Sequence, residues 1–186
     1  CSGLVGSEMC IRDSLSSKRL FKRADDIITQ ANQVGVKQMV VTGTSIKHSQ
    51  IAIELCAQYP DQLFSTAGIH PHDAKDWSSE TESELRELLH HPCVRAVGET
   101  GLDFNRNFSP QQQQIDVFQQ QLELAVELDK PLFLHQRDAM DSFSSLLNEY
   151  RHRLQNVVVH CFTDNKKALY DLLDLDCHIG ITGWIC

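Results

Sequence analysis

Short apolar runs alternate with amphipathic segments along most of the chain. The runs are nearly continuous in Val, Ile, Leu, Phe and Ala, which is typical of strands buried on both faces of a parallel sheet. Runs of this kind predict six strands, at 38–43, 63–70, 94–99, 131–136, 157–162 and 177–184. The segments between them repeat apolar residues every three or four positions, as in Ile115, Phe118, Leu122 and Ala125, and therefore predict helices.

The helix after the third strand has a marked start in the sequence. We predict Ser109 as its N-cap, Pro110 as its first helical residue and Gln112 as the second half of a capping box. The run of glutamines at 111–114 is therefore interpreted as the start of a helix.

Alternation of strands and helices predicts an α/β fold with a parallel sheet, either a closed barrel or a doubly wound sheet. A doubly wound sheet expects a Gly-rich phosphate loop after its first strand, and "VVTGTS" at 40–45 is a poor version of one. A TIM (β/α)₈ barrel typically needs about 250 residues. We therefore favour an incomplete barrel of about six of the eight βα units, with the first and last strands missing.

The two ends of the chain differ from the rest. Residues 1–14, "CSGLVGSEMCIRDS", lack the periodicity that follows, and we predict that this adapter-like segment is not native sequence. The chain stops soon after the last apolar run. Residues 15–186 are accordingly predicted to be a partial TIM barrel.

Composition limits the classes of function. The 186 residues are 41% hydrophobic and carry a net charge of −8, which disfavours nucleic-acid binding through a broad basic surface but not an anionic substrate at a metal. Seven cysteines without a CxxC pair favour reduced thiols and a cytoplasmic location. No apolar run reaches the roughly 18–20 residues of a membrane span. We expect no membrane contact, and no protein partner is inferable.

Polar residues mark the ends of four consecutive predicted strands. His70 ends the second strand with His72 just beyond it, and Glu99, His135 and His160 belong to the ends of the next three strands. The carboxyl ends of barrel strands converge on the face that carries active sites. Imidazole and carboxylate groups together hold Zn²⁺, Mn²⁺ or Mg²⁺ and leave positions open for water and substrate. The pattern predicts a metal site formed by Glu99, His135 and His160.

Each candidate has a structural alternative. A single His at a strand end is more often a hydrogen-bonded structural residue than a ligand, and the coincidence of three candidates on one face reverses that preference. Pro71 makes "HPH" a plausible rigid turn, Asp103 could be a turn residue and Asp138 an N-cap. A solvated side chain is the commoner case for an arginine such as Arg106. With these alternatives open, we predict substrate contacts for His70, His72, Asp103, Arg106 and Arg137.

Five motifs occur in order: "GIHPHDAKDW", "VGETGLDFNRNFSPQQQQ", "DKPLFLHQRDA", "VVVHCFT" and "IGITGW". They resemble the motifs of the TatD family of metal-dependent deoxyribonucleases over about residues 15–186. The resemblance implies a TIM barrel with one or two divalent cations, usually Mg²⁺ or Mn²⁺ with Zn²⁺ as an alternative. It also implies 3′ to 5′ exonuclease activity on single-stranded DNA or RNA in the cytoplasm.

The resemblance extends to single residues. It implies that Glu99, His135 and His160 are metal ligands and that Glu99 is also catalytic. A His-bearing motif of the family's first strand and an Asp near the end of its last strand have no counterpart in the chain. Residues 1–14 stand in place of the first motif, and the second is expected beyond Cys186.

We therefore predict a hydrolase that cleaves nucleic-acid phosphodiester bonds with a metal-activated water as the nucleophile. One alternative is a metal-dependent hydrolase of a small-molecule ester or amide, or of aminoacyl-tRNA, on the same barrel. The other is an inactive fragment, whose unpaired strand edges invite aggregation.

Overall fold

The computed structural model describes residues 8–11, for which only the backbone is considered, and residues 23–182. Its parallel sheet consists of β1 (Glu8–Ile11), β2 (Gln38–Val41), β3 (Leu63–Ala67), β4 (Val94–Asp103), β5 (Leu132–Arg137), β6 (Val157–Val159) and β7 (Cys177–Ile179). The helices are α1 (Ala24–Gln33), α2 (Ile46–Gln58), α3 (Ser79–Leu89), α4 (Gln111–Glu127), α5 (Met140–Tyr150) and α6 (Lys166–Asp174). Short 3₁₀ segments cover Pro71–Asp76 and Arg151–Arg153. No helix in these described ranges is long and apolar enough to cross a membrane.

Every strand pairs in parallel with the strand that precedes it in the sequence, so the sheet order is β1 to β7. A doubly wound sheet would reverse its strand order at a switch point, and this sheet does not. The topology confirms the prediction of an incomplete barrel. The structure differs from the predicted strand count, because Glu8–Ile11 pairs with Gln38–Val41 in the place of the first strand, which we expected to be missing. The non-native origin of residues 1–14 stays a prediction.

Strands β3, β4 and β5 are buried on both faces along most of their length, as their continuous apolar runs predict. Helices α3 to α6 pack on the sheet through one apolar cluster, in which the rings of Phe118 (α4) and Phe143 (α5) stack with centroids 5.3 Å apart. A second cluster, around Met39 and Leu55, joins α1 and α2 to the sheet. All six predicted strands differ in their bounds from the structure. Four of them are shorter than predicted, β2, β3, β6 and β7, whereas β4 continues to Asp103 and β5 is shifted by one residue. Part of the predicted 177–184 strand, from residue 183 onward, lies outside the described residues.

The predicted N-cap at Ser109 is wrong. Helix α4 starts at Gln111 with Pro110 in the cap position and without a side-chain cap. The Ser109 hydroxyl instead donates to the His72 carbonyl at 2.9 Å and accepts from the Lys75 N–H at 3.0 Å. Because Ser109 is fully buried, its hydroxyl satisfies the backbone of the 3₁₀ segment and not the helix end.

Strand β4 contains a bulge at the point where its apolar pattern stops. Val97 pairs with Leu132 but Thr100 pairs with Leu134, so β4 has one extra residue between the two pairs. Gly98 and Gly101 flank Glu99 and have φ of +140° and +136°. A Cβ at Gly98 would collide with the carbonyl oxygen of Phe133, and one at Gly101 with that of His135. The glycines are therefore required for β4 to approach β5 closely on both sides of Glu99.

Candidate metal centre

Groups that can bind a metal come together at the carboxyl ends of β3 to β6. His70 lies three residues after β3, Glu99 and Asp103 lie on β4, His135 lies on β5, and His160 directly follows β6. All five side chains are buried. The backbone N–H of His160 donates to the Leu134 carbonyl at 2.9 Å, which extends the β5–β6 pairing up to the site. The strand ends thus converge as the alternating pattern predicts.

One oxygen of Glu99 is the centre of the cluster. Its Oε1 lies 2.6 Å from His160 Nε2, 3.1 Å from His135 Nδ1 and 3.5 Å from His70 Nε2. The backbone N–H of Glu99 donates to the Gly43 carbonyl, beyond the end of β2, at 2.6 Å. The bulge in β4 therefore turns Glu99 toward imidazoles from three other segments of the chain.

Asp103 forms the second half of the cluster. Its Oδ2 lies 2.8 Å from His72 Nε2 and 3.3 Å from His135 Nε2, so His135 bridges the two carboxylates. Its Oδ1 accepts from the backbone N–H groups of Asn105 at 3.1 Å and Arg106 at 2.9 Å. Asp103 therefore makes the turn contacts that the sequence left as one alternative, and its side chain also belongs to the cluster. Its part as a substrate contact stays a prediction.

Burial and hydrogen bonding act in opposite directions on these groups. Burial raises the pKa of Glu99, but hydrogen bonds from His135 and His160 outweigh it and hold that pKa well below its usual range. Burial likewise opposes the lowering of the Asp103 pKa, which comes mainly from His135 and the Arg106 N–H. Burial lowers the pKa of His70. The pKa of His135 is raised against its own burial by Asp103 and Glu99. Two ionised carboxylates thus face a set of imidazoles.

The arrangement fits a divalent cation. Among the described residues, one ligand atom each from His70, Glu99 and His135 lie within 4.8 Å of one another. A buried carboxylate with two imidazoles is a donor set that suits transition-metal and zinc sites. The structure thus adds His70, which we predicted as a substrate contact, to this group. His160 lies outside it although it contacts Glu99, and its part as a ligand stays a prediction.

The predicted arginines lie beside the cluster. A cavity of about 440 Å³ adjoins His135 and is lined by both Arg106 and Arg137. Its other lining residues are Gln136, Asp138, Cys161, Thr163 and Asp164. Asp138 accepts from Asn105 Nδ2 at 2.6 Å, and Ala139 takes the N-cap position of α5, so the alternative of Asp138 as an N-cap is wrong. The aromatic ring of Phe108 contacts His72 with ring centroids 4.7 Å apart.

Sequence reasoning missed two buried polar residues of α4. Gln114 and Gln121 are almost fully buried, and both bond to the backbone beside the cluster. Their seven-residue spacing on a face that is otherwise apolar was the available signal, because residues two turns apart lie on the same side of a helix.

A parallel barrel with carboxylate and imidazole groups at the carboxyl ends of its strands is an architecture of metal-dependent hydrolases. The family of TatD related DNases matches residues 14–186. The chain belongs to the TatD family.

Relatives of established name agree with this assignment. A protein of Erwinia tasmaniensis named 3′-5′ ssDNA/RNA exonuclease TatD is 47% identical over 173 residues, which are 93% of this chain and 67% of that protein. The protein of the same name from Salmonella typhimurium is 44% identical over 93% of this chain and 66% of its own length. The chain thus spans about two thirds of the length of these curated relatives.

Solved structures show the same fold. The crystal structure of YjjV, a TatD homolog from Escherichia coli, matches with a TM-score of 0.84 at 25% identity, over 96% of this chain and 68% of that one. A TatD family hydrolase from Entamoeba histolytica matches with a TM-score of 0.86 at 24% identity, over 95% of this chain and 64% of that one. Both likenesses support the barrel prediction.

Proposed function

We propose that the protein is a metal-dependent nuclease that removes nucleotides from the 3′ end of single-stranded DNA or RNA. The observation that carries the proposal is the convergence of three imidazoles on the buried Glu99 carboxylate, in a chain of the TatD family. The names of the relatives supply the substrate and the polarity. A cytoplasmic location is part of the proposal, and Cys56, Cys93 and Cys177 are free thiols.

His70, Glu99, His135 and His160 would hold the cation, with Glu99 as the catalytic carboxylate. We propose Mg²⁺ or Mn²⁺ in use, with Zn²⁺ as the alternative because imidazole ligands suit zinc. One or two bound cations would lower the pKa of water and stabilise negative charge on a phosphoryl oxygen. Asp103 would hold the His135 and His72 rings in place through its Oδ2.

The cavity beside His135 would receive the substrate backbone. Arg106 and Arg137 line it, and arginine guanidinium groups bind phosphate through paired hydrogen bonds. The ring of Phe108 is 55% exposed and contacts His72, so it offers a base-stacking surface next to the cluster. This local contact suits a protein with a net charge of −8, which lacks an excess of basic residues.

The test is the degradation of a 5′-labelled single-stranded oligonucleotide by the protein with Mn²⁺ or Mg²⁺. We expect a ladder of 5′-labelled products that shorten stepwise from the 3′ end, and no products after chelation with EDTA. Undiminished cleavage in EDTA would exclude the metal-dependent mechanism. Hydrolysis of small esters or amides, without cleavage of the oligonucleotide, would favour the alternative hydrolase instead.

A further inference from the structure

Helix α4 carries two glutamines into the protein interior. Gln114 and Gln121 are 1% and 0% exposed, whereas Gln112 on the opposite side of the helix is exposed. Buried glutamines are uncommon, because each brings an amide donor and an amide acceptor that require partners. The helix packs on the core through Phe118, between these two positions, and Leu122, directly after the second, and both side chains are fully buried.

Gln121 bonds twice to a single residue at the end of β3. Its Oε1 accepts from the Ile69 N–H at 2.8 Å, and its Nε2 donates to the Ile69 carbonyl at 3.0 Å. Ile69 lies beyond the last paired residue of β3 and directly precedes His70. The amide of Gln121 therefore supplies the backbone hydrogen bonds that a neighbouring strand would make, at a residue beyond the last paired residue of β3.

Gln114 repeats the arrangement on β4. Its Oε1 accepts from the Asp103 N–H at 2.9 Å, and its Nε2 donates to the Asp103 carbonyl at 3.2 Å. The same Nε2 also donates to the Ser109 carbonyl at 2.8 Å. Asp103 is the last residue of β4, and its side chain contacts His72 and His135.

Both glutamine amides form hydrogen bonds with backbone groups of a strand end. Backbone groups that are buried and unpaired destabilise the fold, and they would leave a strand end free to move. One rigid helix satisfies both strand ends through two side chains separated by two helical turns. The position of His70 relative to Asp103 is therefore set by α4 and not by the sheet alone.

On the basis of the proposed function, we propose that Gln114 and Gln121 are positioning residues of the metal centre. Gln121 fixes the backbone that presents His70, and Gln114 fixes the backbone that presents Asp103. Neither side chain acts on the substrate. Their effect is on the affinity of the site for its cation and on the rate of the bound enzyme.

The test is a set of Mn²⁺ titrations by calorimetry on the wild-type chain and on Gln114→Met, Gln121→Met and Gln112→Met. Methionine keeps the length of the side chain and removes all hydrogen bonds of the amide. We expect the two buried substitutions to weaken Mn²⁺ binding by about 10-fold to 100-fold, the range for residues that orient metal ligands. Gln112→Met, the same change on the exposed side of α4, should bind Mn²⁺ like the wild type.

Two further measurements separate positioning from general destabilisation. With an oligonucleotide substrate, the buried variants should lower kcat at saturating Mn²⁺ and leave KM within twofold. Gln121→Leu removes the same hydrogen bonds with a different apolar side chain, so it should weaken Mn²⁺ binding as Gln121→Met does. It also serves as the test variant if the methionine variant does not fold.

The outcomes distinguish this inference from the proposed function. If the wild type binds Mn²⁺ and the folded buried variants bind it equally well, the glutamines are structural only and the inference is wrong. If the wild type does not bind Mn²⁺, the metal centre and the inference both fail. If the wild type binds Mn²⁺ but cleaves no oligonucleotide, the proposed substrate fails, and weaker Mn²⁺ binding by the variants would still support the inference.

Discussion

The two halves of strand β4 both contain buried residues, but they bury different kinds of residue. Val94 and Val97 are apolar, fully buried and part of the main hydrophobic cluster. From Gly98 onward the strand has a bulge, two glycines with positive φ and three buried polar residues, Glu99, Thr100 and Asp103. The first half stabilises the fold by removing apolar surface from water. The buried polar groups of the second half need hydrogen-bond partners from other segments, and they include the carboxylates of the candidate metal centre. Substitutions on the two sides of the bulge should therefore affect different properties.

The largest effect on stability is expected for Gly98→Ala. The added Cβ would collide with the Phe133 carbonyl oxygen at a positive φ, and we expect the free energy of unfolding to fall by about 4 kcal/mol. Gly35→Ala is the matched control, because Gly35 also has a positive φ but open space around the new Cβ, and should cost about 1 kcal/mol. Urea denaturation measures both. Equal losses would show that the backbone angle, and not the close approach of β4 to β5, makes Gly98 necessary.

Val94→Ala tests the apolar half of the strand. Removing two buried methyl groups should lower the free energy of unfolding by about 2 kcal/mol, which urea denaturation measures. The affinity for Mn²⁺ should stay within twofold of the wild type, because Val94 lies at the opposite end of β4 from Asp103. A fall in Mn²⁺ affinity of 10-fold or more in the folded variant would mean that the two halves are not separable.

Phe108→Ala tests the proposed stacking surface beside the second half. Loss of one base–aromatic contact is expected to raise KM for an oligonucleotide by about 10-fold, with kcat little changed. Because Phe108 is exposed, the free energy of unfolding should change by less than about 0.5 kcal/mol. Phe108→Trp keeps an aromatic face and should keep the low KM. An unchanged KM in Phe108→Ala would remove this residue from the proposed substrate contacts.

Thr100→Val should give the smallest effect. The Thr100 hydroxyl is buried and has no hydrogen-bond partner among the described residues. Replacing it with a methyl group of similar size should raise the free energy of unfolding by up to about 1 kcal/mol. Thermal unfolding of the metal-free protein measures the change. A loss of stability of more than 1 kcal/mol would indicate that the hydroxyl has a partner at the site.

The fold was largely predictable from sequence, because parallel strands buried on both faces produce continuous apolar runs. The place of Glu99 and His135 in one cluster was predictable for a related reason, since polar groups interrupt those runs toward the carboxyl ends of the strands. Glu8–Ile11 was not predicted as a strand, because four residues within an aperiodic segment do not make a pattern. The predicted barrel also indicated that these polar side chains share one face, because active-site groups lie at the carboxyl ends of barrel strands.

Side-chain partners distant in sequence were not predictable. Ser109 has a helix-cap context in the sequence, but its hydroxyl bonds to the 3₁₀ segment that begins at Pro71. His70 was assigned to substrate because "HPH" does not show which imidazole turns toward Glu99. Gln121 is separated by 52 positions from the backbone that it holds. Local patterns describe elements well and describe contacts between elements poorly.

The central claim is that Glu99 and its imidazoles hold a divalent cation, and Mn²⁺ binding to Glu99→Gln tests it most directly. The amide keeps the shape of the side chain and removes its charge, while Glu84→Gln makes the same change at an exposed helical position. Electron paramagnetic resonance of free Mn²⁺ reports the bound fraction of each protein. The account predicts that Glu99→Gln weakens binding by more than about 100-fold, beyond the effect of residues that only orient ligands, and that Glu84→Gln binds like the wild type. Equal Mn²⁺ binding by Glu99→Gln and the wild type would contradict it.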